Sequence, residues 1–235
     1  MTAPAHTGSR TTRVLGALAL AGFVATTLLG LVVTDPDSPK PLGQGDAVRM
    51  LYVHVPPAFL TYVAFGLTFV GSIAWLWKRS AWWDRVAGAA AEVGVLLTAL
   101  TLATGMLFGR PTWGVYWDWD PRLTTTAILF VVYAGYLLLR QSIVDRNRRA
   151  RLAAVFGVVG FLNVPIVHFS VLWWRGLHQP PTVIRPGEAT IAPVLLAALL
   201  ASVVSFSLVY LWLLRRRVDL EVARDAAELA MEPAP

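Results

Sequence analysis

The 235-residue chain contains no cysteine and only four methionines, and charged residues make up just 14% of it. The absence of cysteine excludes disulfides, thiolate metal ligands and thiol chemistry. The scarcity of methionine argues against a thioether metal relay. A soluble domain is nearer one quarter charged, whereas 56% of this chain is apolar and its mean hydropathy is +0.59. These values predict an integral membrane protein.

Six apolar runs are long enough to cross a bilayer, which takes about 20 residues in a helix. We expect transmembrane helices over residues 14–33, 57–77, 86–108, 123–139, 152–174 and 189–214. The fold class is therefore all-α, a single six-helix membrane domain over residues 1–235. A basic start before an apolar run also suits a signal peptide, but no small-residue cleavage site stands out, so helix 1 is expected to be retained.

Two details of these helices concern the site. Pro56 and Pro57 are expected in the first turn of helix 2, where a missing N–H costs little. His54 would then lie on the loop side of that entrance. The tail over residues 215–235, which alternates acidic residues with alanine, is predicted to be a frayed or surface helix.

The basic residues are distributed unevenly between the two sides of such a bundle. The N-terminus, residues 78–85, residues 140–151 and the tail carry fourteen of the twenty lysines and arginines, and the other three connections carry six. The positive-inside rule therefore predicts that both termini are cytoplasmic. The high isoelectric point, about 10.2, reflects these topology signals rather than a nucleic-acid surface.

The connection over residues 109–124 is unusually aromatic. Three tryptophans, a tyrosine and two aspartates fall within residues 113–120. Anchoring at the membrane interface takes one or two such rings per helix end. The excess indicates a flat apolar surface with a charged rim, suited to a large planar ligand that carries some charge. The rim residues are Arg110, Asp118, Asp120 and Arg122.

Histidines from distant parts of the chain fall on the same predicted external side as this loop. Haem iron takes axial ligands from above and below its plane, and imidazole is a common one. His54 and His168 could supply such a pair from separate helices. The simpler interpretation of either histidine is an interhelical hydrogen bond. Two of them beside a tryptophan-rich loop favour ligation, and His178, in a proline-flanked loop, is predicted to be a rim residue.

Three segments resemble a known family. The pattern W-G-x-x-W-x-W-D-P-R-L-T over residues 113–124 resembles the WWD signature of haem-handling membrane proteins of cytochrome c biogenesis. RMLYVHVP at 49–56 and NVPIVHFSVLWWRGLHQ at 163–179 resemble the segments around two external haem-ligating histidines in the haem exporter protein C (CcmC) family. The resemblance spans roughly residues 48–180. Phe59 and Tyr116 stand where some relatives carry tryptophan, and Asp118 where the residue is typically uncharged.

The resemblance implies a b-type haem held in the outer leaflet of the inner (cytoplasmic) membrane, with the loop between its two ligands. It implies delivery of that haem to the periplasmic chaperone CcmE, with the ABC-type components CcmA and CcmB and the small membrane protein CcmD as further partners. Arg49 and Arg122 could neutralise the propionates or simply snorkel to water. Asp120 could orient a ring N–H or an arginine, or complement the dipole of helix 4. The expected haem contacts are His54, His168, Trp113, Trp117, Trp119, Asp120, Arg122 and Arg49.

Three functions are consistent with these sequence features. The first is haem binding and presentation without enzymatic activity, since the chaperone's own side chain would form any covalent bond. The second is a permease for haem or another planar substrate, as a subunit of an ABC-type exporter. A permease should show midmembrane polar residues and interrupted helices, and only Asn163 and Pro165, near the outer end, resemble these. The third is a structural subunit whose aromatic residues serve only as anchors.

Overall fold

The computed structural model describes residues 10–33, 45–179, 183 and 191–231. Within these residues it is helical without strands, and six helical segments are long and apolar enough to cross a membrane. A short 3-10 helix over Gly45–Met50 leads into the second span. The α-helices are α1 (Arg10–Val33), α2 (Leu51–Lys78), α3 (Ala81–Trp113), α4 (Pro121–Ser142), α5 (Arg146–Gly160), α6 (Asn163–Trp173) and α7 (Pro193–Met231).

Helices α2 and α3 form the centre of the bundle and make its most extensive contact. Only Arg79 and Ser80 separate them, so most of the basic connection predicted at 78–85 is helical. Helices α5 and α7 pack against α2, α4 packs against α3 and α6, and α1 lies almost entirely on α7. The middle of the bundle is filled by aromatic rings. Phe65 of α2 stacks on Tyr133 of α4 with ring centroids 3.6 Å apart, and both side chains are fully buried.

The start of α2 differs from the sequence prediction. The helix begins at Leu51 rather than near Pro57, so His54 lies inside its first turns and not in the preceding loop. Pro56 has no N–H to donate to the Tyr52 carbonyl four residues earlier. The Ser202 hydroxyl of α7 donates to that carbonyl at 2.5 Å instead. A partner from another helix thus satisfies the group that the proline leaves unpaired.

The aromatic connection is shorter than the predicted range of 109–124. Helix α3 continues through Pro111 to Trp113, and Gly114 ends it with a left-handed φ of 81° and an N–H bond to the Arg110 carbonyl. Helix α4 begins at Pro121, since proline is well suited to a first helical position. Residues 114–120 therefore form the connection, and we call them the WWD loop.

The fifth span is interrupted, whereas the sequence predicts one helix over residues 152–174. A turn at Phe161 and Leu162 separates α5 from α6. The turn keeps its backbone bonds: the Phe161 N–H reaches the Gly157 carbonyl at 3.3 Å, and the Leu162 N–H reaches that of Val159 at 3.1 Å. The Asn163 side chain donates to a carbonyl of α4 at 3.1 Å, so this side chain is also bonded within the bundle.

The last span is also longer than predicted. Helix α7 continues from the membrane to Met231 without a break, whereas the sequence predicts a frayed or surface helix from residue 215. Ion pairs to other helices hold this extension. Asp225 accepts from Arg85 of α3 at 2.6 Å and lies 3.9 Å from Arg146 of α5, while Arg217 pairs with Glu92 of α3. Glu92 therefore has a structural role within the bundle.

Candidate functional site

The imidazole of His54 is held between α2 and α3. Its Nδ1 lies 3.1 Å from the Thr104 hydroxyl oxygen. That hydroxyl donates its own proton to the Leu100 carbonyl at 2.7 Å, so it accepts from His54. The network thus assigns the proton to Nδ1 and leaves the lone pair on Nε2. An imidazole in this state can ligate a metal through Nε2.

The packing around His54 is close. Gly105 faces the ring, and a Cβ at that position would lie 3.0 Å from His54 Cε1. The Phe108 ring lies one turn further along α3, with its centroid 6.1 Å from that of the imidazole. A threonine–glycine pair in α3 therefore supplies both the hydrogen bond and the space that the histidine needs.

Both carboxylate oxygens of Asp120 accept several hydrogen bonds at this end of the bundle. Asp120 is only 3% exposed. Its Oδ1 caps α4, accepting the N–H groups of Arg122 at 2.9 Å and Leu123 at 3.3 Å. Its Oδ2 accepts the N–H groups of Leu177 at 2.7 Å and His178 at 3.3 Å. One carboxylate therefore joins the WWD loop to the segment that follows α6.

The side chain of His178 completes this contact. Its Nδ1 lies 2.9 Å from Asp120 Oδ1, and the ring meets Trp113 edge-on with centroids 4.7 Å apart. A Cβ at Gly176 would overlap the carboxylate, so the approach requires glycine there. Burial acts to raise the pKa of Asp120, but the hydrogen bonds and charge of His178 and the backbone donors outweigh it, and the pKa is lowered.

The tryptophans do not form the single flat surface that the sequence suggested. Trp113 closes α3 and faces His178. Trp117 is partly buried and meets Trp119 at an interplanar angle of 88°. Trp119 itself is 78% exposed, and the neighbouring Tyr116 is 54% exposed. The loop thus presents one ring inward and another outward.

Arg122 connects this region to α6. Its guanidinium donates to the His168 carbonyl at 2.9 Å, and it lies within electrostatic range of His54 and Tyr62. Its Nε is buried and, among the described residues, has no hydrogen-bond partner. A buried guanidinium N–H without an acceptor is costly, so this position suits an anionic group of a ligand.

His168 occupies a different environment from the other two histidines. Its ring lies between those of Tyr62 at 6.1 Å and Phe169 at 4.9 Å. Within the described part of the chain neither of its ring nitrogens makes a hydrogen bond. Arg49 lies in the 3-10 helix before α2, five residues from His54. The structure thus places Arg122 and His178 within electrostatic range of His54. Arg122 also donates to the His168 carbonyl.

Two features of this site are not indicated by any sequence pattern. Thr104 carries no motif, and only its pairing with Gly105 inside an apolar run hints at close packing. The bond from Asp120 to His178 joins residues 58 positions apart, which no local pattern indicates.

The fold and this site define a multi-pass membrane protein with imidazoles, an arginine and a tryptophan-rich loop gathered at one end of its helices. A family model described as "Heme exporter protein C" matches residues 1–232. The chain belongs to the heme exporter protein C family, which confirms the resemblance noted in the sequence.

Individual relatives agree with this assignment. The chain is 41% identical over 202 residues to heme exporter protein C of Bradyrhizobium diazoefficiens, covering 82% of this chain and 77% of the relative. It is 34% identical over 221 residues to that of Haemophilus influenzae, covering 92% and 89%. A cytochrome c biosynthesis ccmC-like mitochondrial protein of Arabidopsis thaliana is 34% identical over 178 residues, covering 76% and 67%.

Proposed function

We propose that this chain binds haem at the external face of the cytoplasmic membrane and presents it to a periplasmic chaperone of the CcmE type. One observation carries the proposal: the His54 Nδ1 is bonded to the Thr104 hydroxyl, which leaves Nε2 open to a metal, beside the WWD loop and an arginine whose buried Nε has no hydrogen-bond partner among the described residues. Family membership supports haem as the ligand, since the relatives are named heme exporters.

The ligand set fits haem better than a bare metal ion. Among the described residues, no three histidine, aspartate or glutamate side chains converge as a chelating group. A metal held by one or two imidazoles here has open coordination positions, which a macrocycle would fill. Bound haem would supply such an iron together with two propionates, and His54 would hold the iron from the α2–α3 side.

The second axial position has two candidates. His168 was expected from the sequence and stays a prediction. The geometry favours His178, because an imidazole whose Nδ1 is bonded to a carboxylate has the partner that metal-ligating histidines commonly have. His178 also lies against Trp113 and within electrostatic range of His54. His168 instead lies between two aromatic rings.

The arginines and tryptophans would orient the ligand. The buried Arg122 Nε, which has no partner in the described part of the chain, could donate to a propionate, and Arg49 at the entrance of α2 is the second candidate. Trp113 would contact the macrocycle from inside, and the exposed Trp119 would face the approaching chaperone. In this proposal Asp120 acts through the groups it positions rather than by touching haem.

The chain's own residues position haem and do no covalent chemistry, so we do not regard it as an enzyme. The family resemblance supports the ABC-type components CcmA and CcmB and the small membrane protein CcmD as further partners. A permease for haem is less well supported. The interruption between α5 and α6 favours it, but the N–H groups of Phe161 and Leu162 at that turn are bonded within the protein.

The first test is the visible absorption spectrum of the purified protein and of three single variants. His54→Ala should lower haem content and change the axial signature. His178→Ala should do the same if the geometric assignment is right, and His168→Ala should leave the signature intact. The reverse result for the last two would restore the sequence prediction. A wild-type protein that binds no haem would contradict the proposal.

The second test separates binding from delivery. Phenylalanine at all three tryptophans, Trp113, Trp117 and Trp119, keeps most of the apolar area but removes the indole rings. Haem content should be largely kept, while haem attachment to the chaperone in cells should fall. Normal attachment at normal expression would show that the loop is only an interfacial anchor.

A further inference from the structure

A second polar site lies at the opposite end of α2 from His54. A cavity of about 460 Å³ opens where the C-terminus of α2 meets the first turns of α5. Its lining residues are Trp75, Arg79, Asn147, Arg148 and Arg151. Three of the five are arginines and none is acidic. This composition indicates a site for an anion.

The charge balance of these arginines differs from that of their neighbours. Other arginines at this end of the bundle are paired with carboxylates: Arg85 with Asp225, Arg140 with Asp84, Arg146 with Asp225 and Arg217 with Glu92. Within the described residues, the three arginines of the cavity make no ion pair. The nearest acid in sequence, Asp145, caps α5 by accepting the Arg148 N–H at 2.6 Å. Three positive charges thus converge without a compensating one.

The cavity is built on a rigid base. Trp75 is 5% exposed and packs against Ala150 and Ala154 of α5. The Arg79 guanidinium lies over the Trp75 ring, 4.7 Å from its centroid, as in a cation–π contact. Arg79 is also the one non-glycine residue of the described chain with positive φ, 54°. Glycine would adopt this conformation at lower cost, so the strain points to a role for the side chain.

We propose that this cavity binds the phosphate group of an anionic phospholipid. Guanidinium groups donate paired hydrogen bonds to phosphate oxygens, and the Asn147 amide adds a neutral donor. Arg79 directly follows the last residue of a membrane span, at the depth where lipid phosphates lie. Basic pockets between helices on the cytoplasmic side of a membrane bind such headgroups. The same chemistry would accept free phosphate, which the test distinguishes.

The test is native mass spectrometry of the full chain in detergent, titrated with dioleoylphosphatidylglycerol or dioleoylphosphatidylcholine. The anionic lipid should bind with higher affinity. Combined Arg79→Gln, Arg148→Gln and Arg151→Gln should lower that affinity roughly 100-fold, at about fivefold for each arginine. The pair Arg148→Gln and Arg151→Gln, which leaves the strained position untouched, should lower it about 25-fold.

The matched control removes three exposed arginines outside the cavity: Arg13→Gln, Arg215→Gln and Arg216→Gln. It should change the affinity for the anionic lipid by less than about threefold, because these residues do not line the cavity. An equal loss in the control would reduce the effect to diffuse charge and overturn the proposal. So would equal binding of the two lipids, or displacement of the bound lipid by inorganic phosphate.

Discussion

The hydrogen bond between His54 and Thr104 gives the most direct test of the haem-binding site. Thr104→Val keeps the branched shape and volume of the side chain but removes its hydroxyl. The Nδ1 of His54 then loses its hydroxyl partner at 3.1 Å, while the Thr101 carbonyl stays within reach of the ring. The contact is partly buried, and Thr104 itself is only 7% exposed. Water therefore cannot readily replace the lost partner.

Two magnitudes follow from this geometry. Loss of one such hydrogen bond costs about 0.5–1.5 kcal/mol, which in a chain of this size lowers the melting temperature by a few degrees, at roughly 2–4 °C per kcal/mol. The effect on haem affinity should be larger than this effect on stability. Loss of the outer partner of a metal-ligating histidine costs about 10–100-fold in metal affinity, because the ring no longer holds one tautomer and orientation.

The assay is haem titration followed by the Soret band, with a thermal melt of the haem-free protein in parallel. Thr104→Ser restores the hydroxyl and should recover most of the affinity. The matched control is Thr112→Val, two turns along the same helix, whose hydroxyl donates only to the Phe108 carbonyl at 2.7 Å. Wild-type affinity in Thr104→Val, or an equal loss in Thr112→Val, would refute the assignment.

Two further predictions concern Asp120 and topology. Asp120→Asn should lower stability by about 1–3 kcal/mol above pH 4; because the native pKa of Asp120 is lowered, the wild-type advantage should persist there and shrink as the pH falls below about 4. Melting curves at several pH values check this, and a difference that is unchanged down to pH 2 would contradict it. The chain has no cysteine, so Tyr116→Cys should react with a membrane-impermeant maleimide in spheroplasts and Val144→Cys, 95% exposed in the opposite connection, only after lysis. Labelling of Val144→Cys alone would invert the proposed orientation.

The sequence alone determined the class of protein and most of the spans. Hydropathy is a sum over neighbouring residues, so six apolar runs of sufficient length predict six spanning helices whatever their packing. The concentration of aromatic residues in 113–120 is likewise local. With the two histidine segments it was enough to identify the family, which the comparisons confirm.

Helix ends and interruptions depended on other helices. Pro56 suggested that α2 starts near it. However, the Ser202 hydroxyl satisfies the freed Tyr52 carbonyl, 150 residues earlier in the chain, and lets the helix begin sooner. The break at Phe161 and Leu162 lies within an unbroken apolar run, so hydropathy could not indicate it. Composition reports whether a segment is apolar, whereas hydrogen-bond partners from distant segments decide where a helix can start or turn.

The site itself was decided by tertiary structure. The sequence placed His54 beside the tryptophan loop, but its tautomer depends on Thr104, 50 residues away on α3. The role of His178 depends on Asp120, 58 residues away. Each pair joins a common polar residue to an imidazole. A hydrogen bond of about 3 Å sets the chemical role of that imidazole. No spacing rule covers such contacts, because they exist only once α2, α3 and the segment after α6 have packed together.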